Sequence, residues 1–222
     1  MTYLLVHGAW HGAWCWDAVR EQLPDTVAID LPSNHVDGAG FTDDVKAVRD
    51  ALDGMSDVVL CGHSYGGAVI TEAGAHDNVR HLVYLCAFAL EVGETTMVNA
   101  AADDPVASAA PGSKLGAAMS VVDGALVLEP EAASAAFYAD CDVRPVDRLV
   151  PHPMRAFDVG VAAAAWKDTP STYVVCTQDQ AIHPDVQRFF ARRCRNVVEL
   201  EASHSPMLSM PDRVAEILRS AR

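Results

Sequence analysis

No stretch of this chain approaches the run of about 18 consecutive apolar residues that a membrane-crossing helix needs. Its start, MTYLLVHGAW, lacks the basic opening, long apolar run and small-residue cleavage site of a secretory leader. These absences point to a cytoplasmic protein with no membrane partner. Basic residues are scarce, 16 Lys and Arg against 30 Asp and Glu. The resulting net charge of -14, with no basic run to interrupt it, would repel a phosphate backbone, so nucleic acid is excluded as a partner. There is no C-x-x-C pair and no H-x-x-x-H on a helix, since His7 and His11 follow a strand, so no metal site is expected. The six cysteines, Cys15, Cys61, Cys86, Cys141, Cys176 and Cys194, are scattered, and three lie inside apolar runs. Cys61, Cys86 and Cys176 therefore read as small buried hydrophobes and not as reactive thiols or halves of disulfides.

Half of the 222 residues are hydrophobic, enough to build one large core in a single domain spanning 1–222. Six short apolar runs stand out: Tyr3 to Val6, Val27 to Leu31, Val58 to Cys61, His81 to Ala87, Tyr173 to Cys176 and Val197 to Leu200. They are continuous and not alternating, as in strands covered on both faces of a parallel sheet. Helical stretches are expected between them, over Trp14 to Leu23, Thr42 to Leu52, Tyr65 to His76, Pro184 to Cys194 and Pro211 to Arg222. Thr42 and Asp43 fit a helix start, and Pro184 and Pro211 fit first turns. The pattern is an α/β fold with a mostly parallel six-stranded sheet and helices on both faces. From about 91 to 160 the rhythm breaks into Ala-, Ser-, Asp- and Pro-rich sequence. Within it Asp123-Gly124 predicts a hairpin turn, and Glu131 to Ala139 a helix. This segment is too long for a loop and too poor in large apolar residues for its own core, so it is expected to be a small lid over one edge of the sheet.

The third strand runs into GHSYG, a G-x-S-x-G pattern from Gly62 to Gly66. A serine on such a strand-to-helix turn is lifted above the sheet, and the flanking glycines let the backbones pass closely. A hydroxyl needs a base, and the base needs a third group to fix its tautomer. Among nine histidines, His204 lies between the last strand and the last helix, among the strand-end loops. His81, His76, His35 and His152 read as strand, helix-end or loop residues. Asp179 lies just past the preceding strand, whereas Asp185 falls within a helix and Asp168 before the strand. Ser64, Asp179 and His204 are therefore the candidate catalytic residues, all at carboxyl strand ends, where open α/β sheets hold ligands.

The tetrapeptide HGAW occurs twice in succession, at His7 to Trp10 and His11 to Trp14. An oxyanion forming at an ester carbonyl requires two donors. The Tyr65 N–H at the helix start is one candidate. The Ala9 N–H, from the copy that directly follows the first strand, is the other. The second copy is assigned to loop closure and packing. Trp10, Met119, Phe137 and Tyr138 are candidate pocket residues, with ordinary lid packing as the alternative for the last three. His11 and His63 carry the same two readings.

With these residues placed, the chain resembles the α/β-hydrolase superfamily, in particular the branch of plant methylesterases, hydroxynitrile lyases and bacterial relatives. The stretches that carry the likeness are LLVHGAWHGAWCW, GHSYGG, AFALEVGE, YVVCTQDQAIHPDVQRFF and ASHSPMLSMP. They cover the sheet and only weakly the lid. The expected reaction is hydrolysis of a small, largely apolar carboxylic ester without a cofactor, by a monomer or homodimer, since an apolar lid could serve as a pocket roof or as a dimer surface. Lyases of that branch commonly carry lysine after the catalytic histidine, where this chain has Ser205. A hydroxynitrile lyase and a non-catalytic ligand-binding protein on the same fold remain the alternatives.

Overall fold

In a computed structural model, residues 1–97, 101–116 and 118–221 are described. The strands are β1 (Thr2–Val6), β2 (Thr26–Ile29), β3 (Val58–His63), β4 (Val79–Leu85), β5 (Met119–Val122), β6 (Ala125–Leu128), β7 (His152–Pro153), β8 (Ser171–Cys176) and β9 (Asn196–Leu200). The helices are α1 (Asp17–Arg20), α2 (Phe41–Asp53), α3 (Tyr65–Ala73), α4 (Pro130–Phe137), α5 (Pro184–Ala191), α6 (Pro206–Ser209) and α7 (Pro211–Ser220). Six strands form one parallel sheet in the order β2-β1-β3-β4-β8-β9, each corresponding to one of the apolar runs.

Alternation along each strand sends its side chains to two separate cores. Leu4, Val6, Leu60, Leu82, Tyr84, Tyr173 and Val175 pack beneath α2, α3 and α5. Leu5, Val59, Cys61, Val83, Leu85, Val174 and Cys176 face Trp16, Val19 of α1 and Val214, Ile217 and Leu218 of α7. In the inner strands β1, β3, β4 and β8 both faces are largely covered, which is why they show no polar alternation, whereas the edge strands β2 and β9 are partly exposed.

Helix ends shift by a few residues. Gly40, not Thr42 or Asp43, caps α2, and its N–H donates to the Asp43 carboxylate at 2.9 Å. The expected helix from Trp14 to Leu23 is a 3-10 turn over Ala13–Trp16 followed by the single turn of α1. The helix expected to end at His76 stops at Ala73, and that from Pro184 stops at Ala191. The last helix ends at Ser220, while Arg222 lies outside the described residues. No helix among the described residues is long and apolar enough to cross a membrane.

The lid segment, apart from residues 98–100 and 117, carries the hairpin β5–β6, with Asp123 and Gly124 both at positive φ in its turn, and then α4. Its third strand, β7, was not foreseen. It is two residues long, includes a proline, and pairs with β6. The lid is anchored above the carboxyl strand ends and not along a sheet edge: the Trp10 indole donates to the Leu126 carbonyl at 2.8 Å, and the Val150 N–H to the Trp10 carbonyl at 2.9 Å.

Candidate active site

Ser64 sits between β3 and α3 at φ 52°, ψ -120°, a left-handed conformation that non-glycine residues adopt only under tertiary constraint. The constraint is visible at the neighbouring glycines. A Cβ on Gly62 would lie 2.5 Å from the Gly66 carbonyl oxygen, and one on Gly66 would lie 2.6 Å from that of His7. The turn closes only because both side chains are absent. Ser64 makes no side-chain hydrogen bond among the described residues, and it lines a cavity of about 200 Å³.

Asp179 and His204 are buried and joined, with the His204 Nδ1 2.6 Å from Asp179 Oδ2. The same carboxylate oxygen accepts from Gln187 Nε2 at 2.8 Å, and Oδ1 accepts from the amides of Ala181 and Ile182 at 2.7 and 2.9 Å. Four donors fix the carboxylate. Because an ionised carboxylate only accepts, Nδ1 carries the imidazole proton and Nε2 is left with a lone pair. Gln187 also accepts from the Cys176 N–H at 2.8 Å, tying this network to the end of β8.

The main chain of His204 is anchored as firmly. Its carbonyl accepts from His63 Nε2 at 2.8 Å and from the Cys86 thiol at 3.4 Å. His63 immediately precedes Ser64, and its ring centroid lies 4.7 Å from that of His204, so the His204 loop packs against the residue next to the serine. No hydrogen bond joins Ser64 to His204 in this structure. Such contacts commonly tighten only when substrate binds. His63, Cys86 and His204 place potential metal-ligand atoms within 4.8 Å of one another. Two of these side chains are engaged as donors to the third residue's carbonyl, and burial pushes the Cys86 thiol up, away from the thiolate a metal would need.

The first HGAW copy forms the facing wall. His7 Nδ1 donates to the Gly8 carbonyl at 2.7 Å, and its Nε2 accepts the Leu31 N–H at 3.0 Å. His11 Nδ1 donates to the Ala9 carbonyl at 3.0 Å. Both peptide planes flanking Ala9 are therefore held by their carbonyls. Since a trans peptide points N–H opposite to C=O, the Ala9 amide is turned away from these partners. Among the described residues it has no hydrogen-bond acceptor of its own.

Trp10 and Met119 line the cavity with Ala9, Ser64, Tyr65, Leu126 and Phe157. Phe137 and Tyr138 do not. Phe137 stacks on His204, with centroids 5.5 Å apart at 27°, and the Tyr138 hydroxyl meets His11 Nε2 at 2.9 Å. Their place at the end of α4 turns them toward the loops and not toward the cavity. His152, expected in a loop, is fully buried in β7 against Tyr65 and Phe157. The role of Asp140, which accepts from the Ser203 amide at 2.9 Å and from the Ser203 hydroxyl, carried no signal in the sequence because its partner is 63 residues away.

A six-stranded parallel sheet with a serine elbow after its third strand and an Asp–His pair past its last two strands defines a hydrolase of the α/β class. The chain belongs to the alpha/beta hydrolase family, whose pattern matches residues 3–217. It is 28% identical to the alpha/beta hydrolase nvfD of Aspergillus novofumigatus, over 98% of this chain and 95% of that one. It is 24% identical to methylesterase 2 of Arabidopsis thaliana, over 97% and 94%. Its structure superposes on a pyrethroid hydrolase from Sphingobium faniae with a TM-score of 0.83 at 25% identity, covering 99% of this chain and 96% of that one. Homologues thus include esterases from plants and bacteria.

Proposed function

We propose that this protein is a serine esterase that hydrolyses small, largely apolar carboxylic esters through an acyl-enzyme. His204 Nε2 takes the Ser64 proton as the hydroxyl oxygen attacks the carbonyl carbon, and Asp179 stabilises the imidazolium. The amides of Ala9 and Tyr65 hold the oxyanion, each contributing about 3 to 4 kcal/mol to the transition state. Protonated His204 then gives its proton to the departing alcohol, and water repeats the cycle on the acyl group.

The observation that carries this reading is the 2.6 Å Asp179–His204 contact, which leaves the His204 Nε2 lone pair available, with the His204 ring packed on His63, the residue before a serine that makes no side-chain hydrogen bond among the described residues. The substrate class rests on the cavity. Its volume of about 200 Å³ is below the range of drug-sized ligand sites, and its wall is mostly apolar. No lysine or arginine is among the residues described as lining it, so nothing there would neutralise an anionic substrate or a departing cyanide.

The test is labelling with a fluorophosphonate probe, followed by hydrolysis of p-nitrophenyl butyrate. Ser64 should carry the label, and Ser64→Ala should lower turnover by about four to six orders of magnitude. Wild-type rates from Ser64→Ala would remove the serine from the chemistry. Cyanide released from mandelonitrile, with no ester turnover, would instead indicate a lyase.

A further inference from the structure

The oxyanion loop after β1 and the histidine loop after β9 come from opposite ends of the chain, yet one turn of the lid touches both. Phe137, the last residue of α4, places its ring 5.1 Å from that of His11 on one side and 5.5 Å from that of His204 on the other. Next to it, Tyr138 meets His11 Nε2 at 2.9 Å. Because the Ala9 carbonyl can only accept, His11 Nδ1 must be the donor there, and Nε2 must accept the Tyr138 proton. Burial reinforces this neutral tautomer by pulling His11 down to about 3. Tyr138 thus fixes His11, and His11 fixes the peptide plane after Ala9.

Two residues further on, Asp140 grips the other loop through the Ser203 amide at 2.9 Å and the Ser203 hydroxyl, which also approaches the Phe137 carbonyl at 3.4 Å. Burial alone would raise the Asp140 carboxyl, but these two bonds, with smaller contributions from Ser209 and the Asp140 backbone, overcome it and hold the group below its ordinary range. Ser203 directly precedes His204, so the loop is held before the imidazole by Asp140 and at it by His63 and Cys86.

We infer that Phe137–Asp140 is a clamp setting the oxyanion donors and the base in register, with Tyr138 and Asp140 as positioning residues. Resting on the esterase reading, the clamp predicts that lid displacement weakens oxyanion binding and proton transfer together. A lid that only roofs the pocket would alter substrate affinity instead.

The experiment compares Tyr138→Phe, Asp140→Asn and the double variant by kcat and KM on p-nitrophenyl butyrate, by affinity for a trifluoromethyl ketone, and by melting temperature. The ketone forms a hemiketal on Ser64 and so reports the oxyanion site. Tyr138→Phe should lower kcat about tenfold with KM within about twofold, and weaken the ketone by a similar factor. Asp140→Asn should lower kcat about three- to tenfold, and the double variant should lose less than the product of the singles. If Asp140→Asn does not fold, Ser203→Ala, which keeps the main-chain bond, takes its place with the same expected loss. Wild-type kcat and ketone affinity in the single variants, whatever happens to melting, would overturn the clamp. Losses that simply multiply would also overturn it, leaving two independent struts. A wild-type enzyme that a fluorophosphonate does not label at Ser64 would overturn the esterase reading and the clamp with it. Normal labelling with unaffected variants removes the clamp alone.

Discussion

The two HGAW tetrapeptides share every letter and almost nothing else. The first leaves the end of β1, in the interior of the sheet between β2 and β3, and all four of its residues are buried. Its glycine lies against the elbow: a Cβ on Gly8 would be 2.9 Å from both the Ser64 Cβ and His63 Nδ1. Its tryptophan adopts φ 62° and bonds to the lid. The second copy lies one turn further out. Its Ala13 N–H is capped by Asp30 at 2.7 Å, and Trp14, half-buried, carries the Arg148 guanidinium 4.3 Å above its ring. Distance from the strand end, not the letters, decides which copy borders the Ser64 turn.

The contrast can be broken most forcefully at the glycines. Gly8→Ala should lower kcat/KM by about 10³-fold, because the new methyl group meets the His63 imidazole and the Cβ of the serine itself. A variant with normal turnover would show that the first copy does not border the chemistry. What the copies have in common can be sharpened by acid. Burial pulls His7 down to about 4, His11 and His152 to about 3, and His63 well below its ordinary value. In the unfolded chain all four would titrate near 6.5, so below that pH the unfolded state binds more protons and folding stability falls. Each contributes about 1.4 kcal/mol per pH unit until its folded value is reached. Melting temperature should therefore drop steeply between pH 7 and pH 5, and a flat or rising profile would contradict the neutral assignments.

Smaller effects separate the tryptophans. Trp10→Phe leaves the buried Leu126 carbonyl without its donor and should cost about 1 to 3 kcal/mol in denaturant unfolding. Trp14→Phe should cost about 1 kcal/mol or less, since a phenyl ring still underlies Arg148. Equal losses would erase the distinction between the copies. The smallest effect belongs to Gly12→Ala. Its Cβ would meet only the side chains of Asp30 and Trp14, which can move, so activity should stay within about twofold of wild type.

How much of this could be read from the residues follows the same division. All six strands of the main sheet were legible, since burial on both faces leaves apolar runs in β1, β3, β4 and β8, and a shorter run survives in the half-exposed edge strands β2 and β9. The positions of Ser64, Asp179 and His204 after strand ends were legible too, because each follows such a run. The lid was legible only as a segment, a hairpin turn and a helix. β7 consists of a histidine and a proline held by β6, which no local pattern announces. In the sequence Phe137 and Tyr138 fit either the pocket or ordinary packing, and packing is what the structure shows. What they face, His204 and His11, is set by tertiary contacts spanning 67 and 127 positions.

The order of the site residues along the chain has a consequence for the protein while it is being made. β1, β3 and α3 can assemble the strained Ser64 turn early in synthesis, but Asp179 arrives 115 positions later and His204 a further 25. On the esterase reading, a half-built molecule would carry its nucleophile with no base to ionise it. On that same reading, activity would switch on only when the last edge strand, β9, docks beside β8 and brings the His204 loop with it.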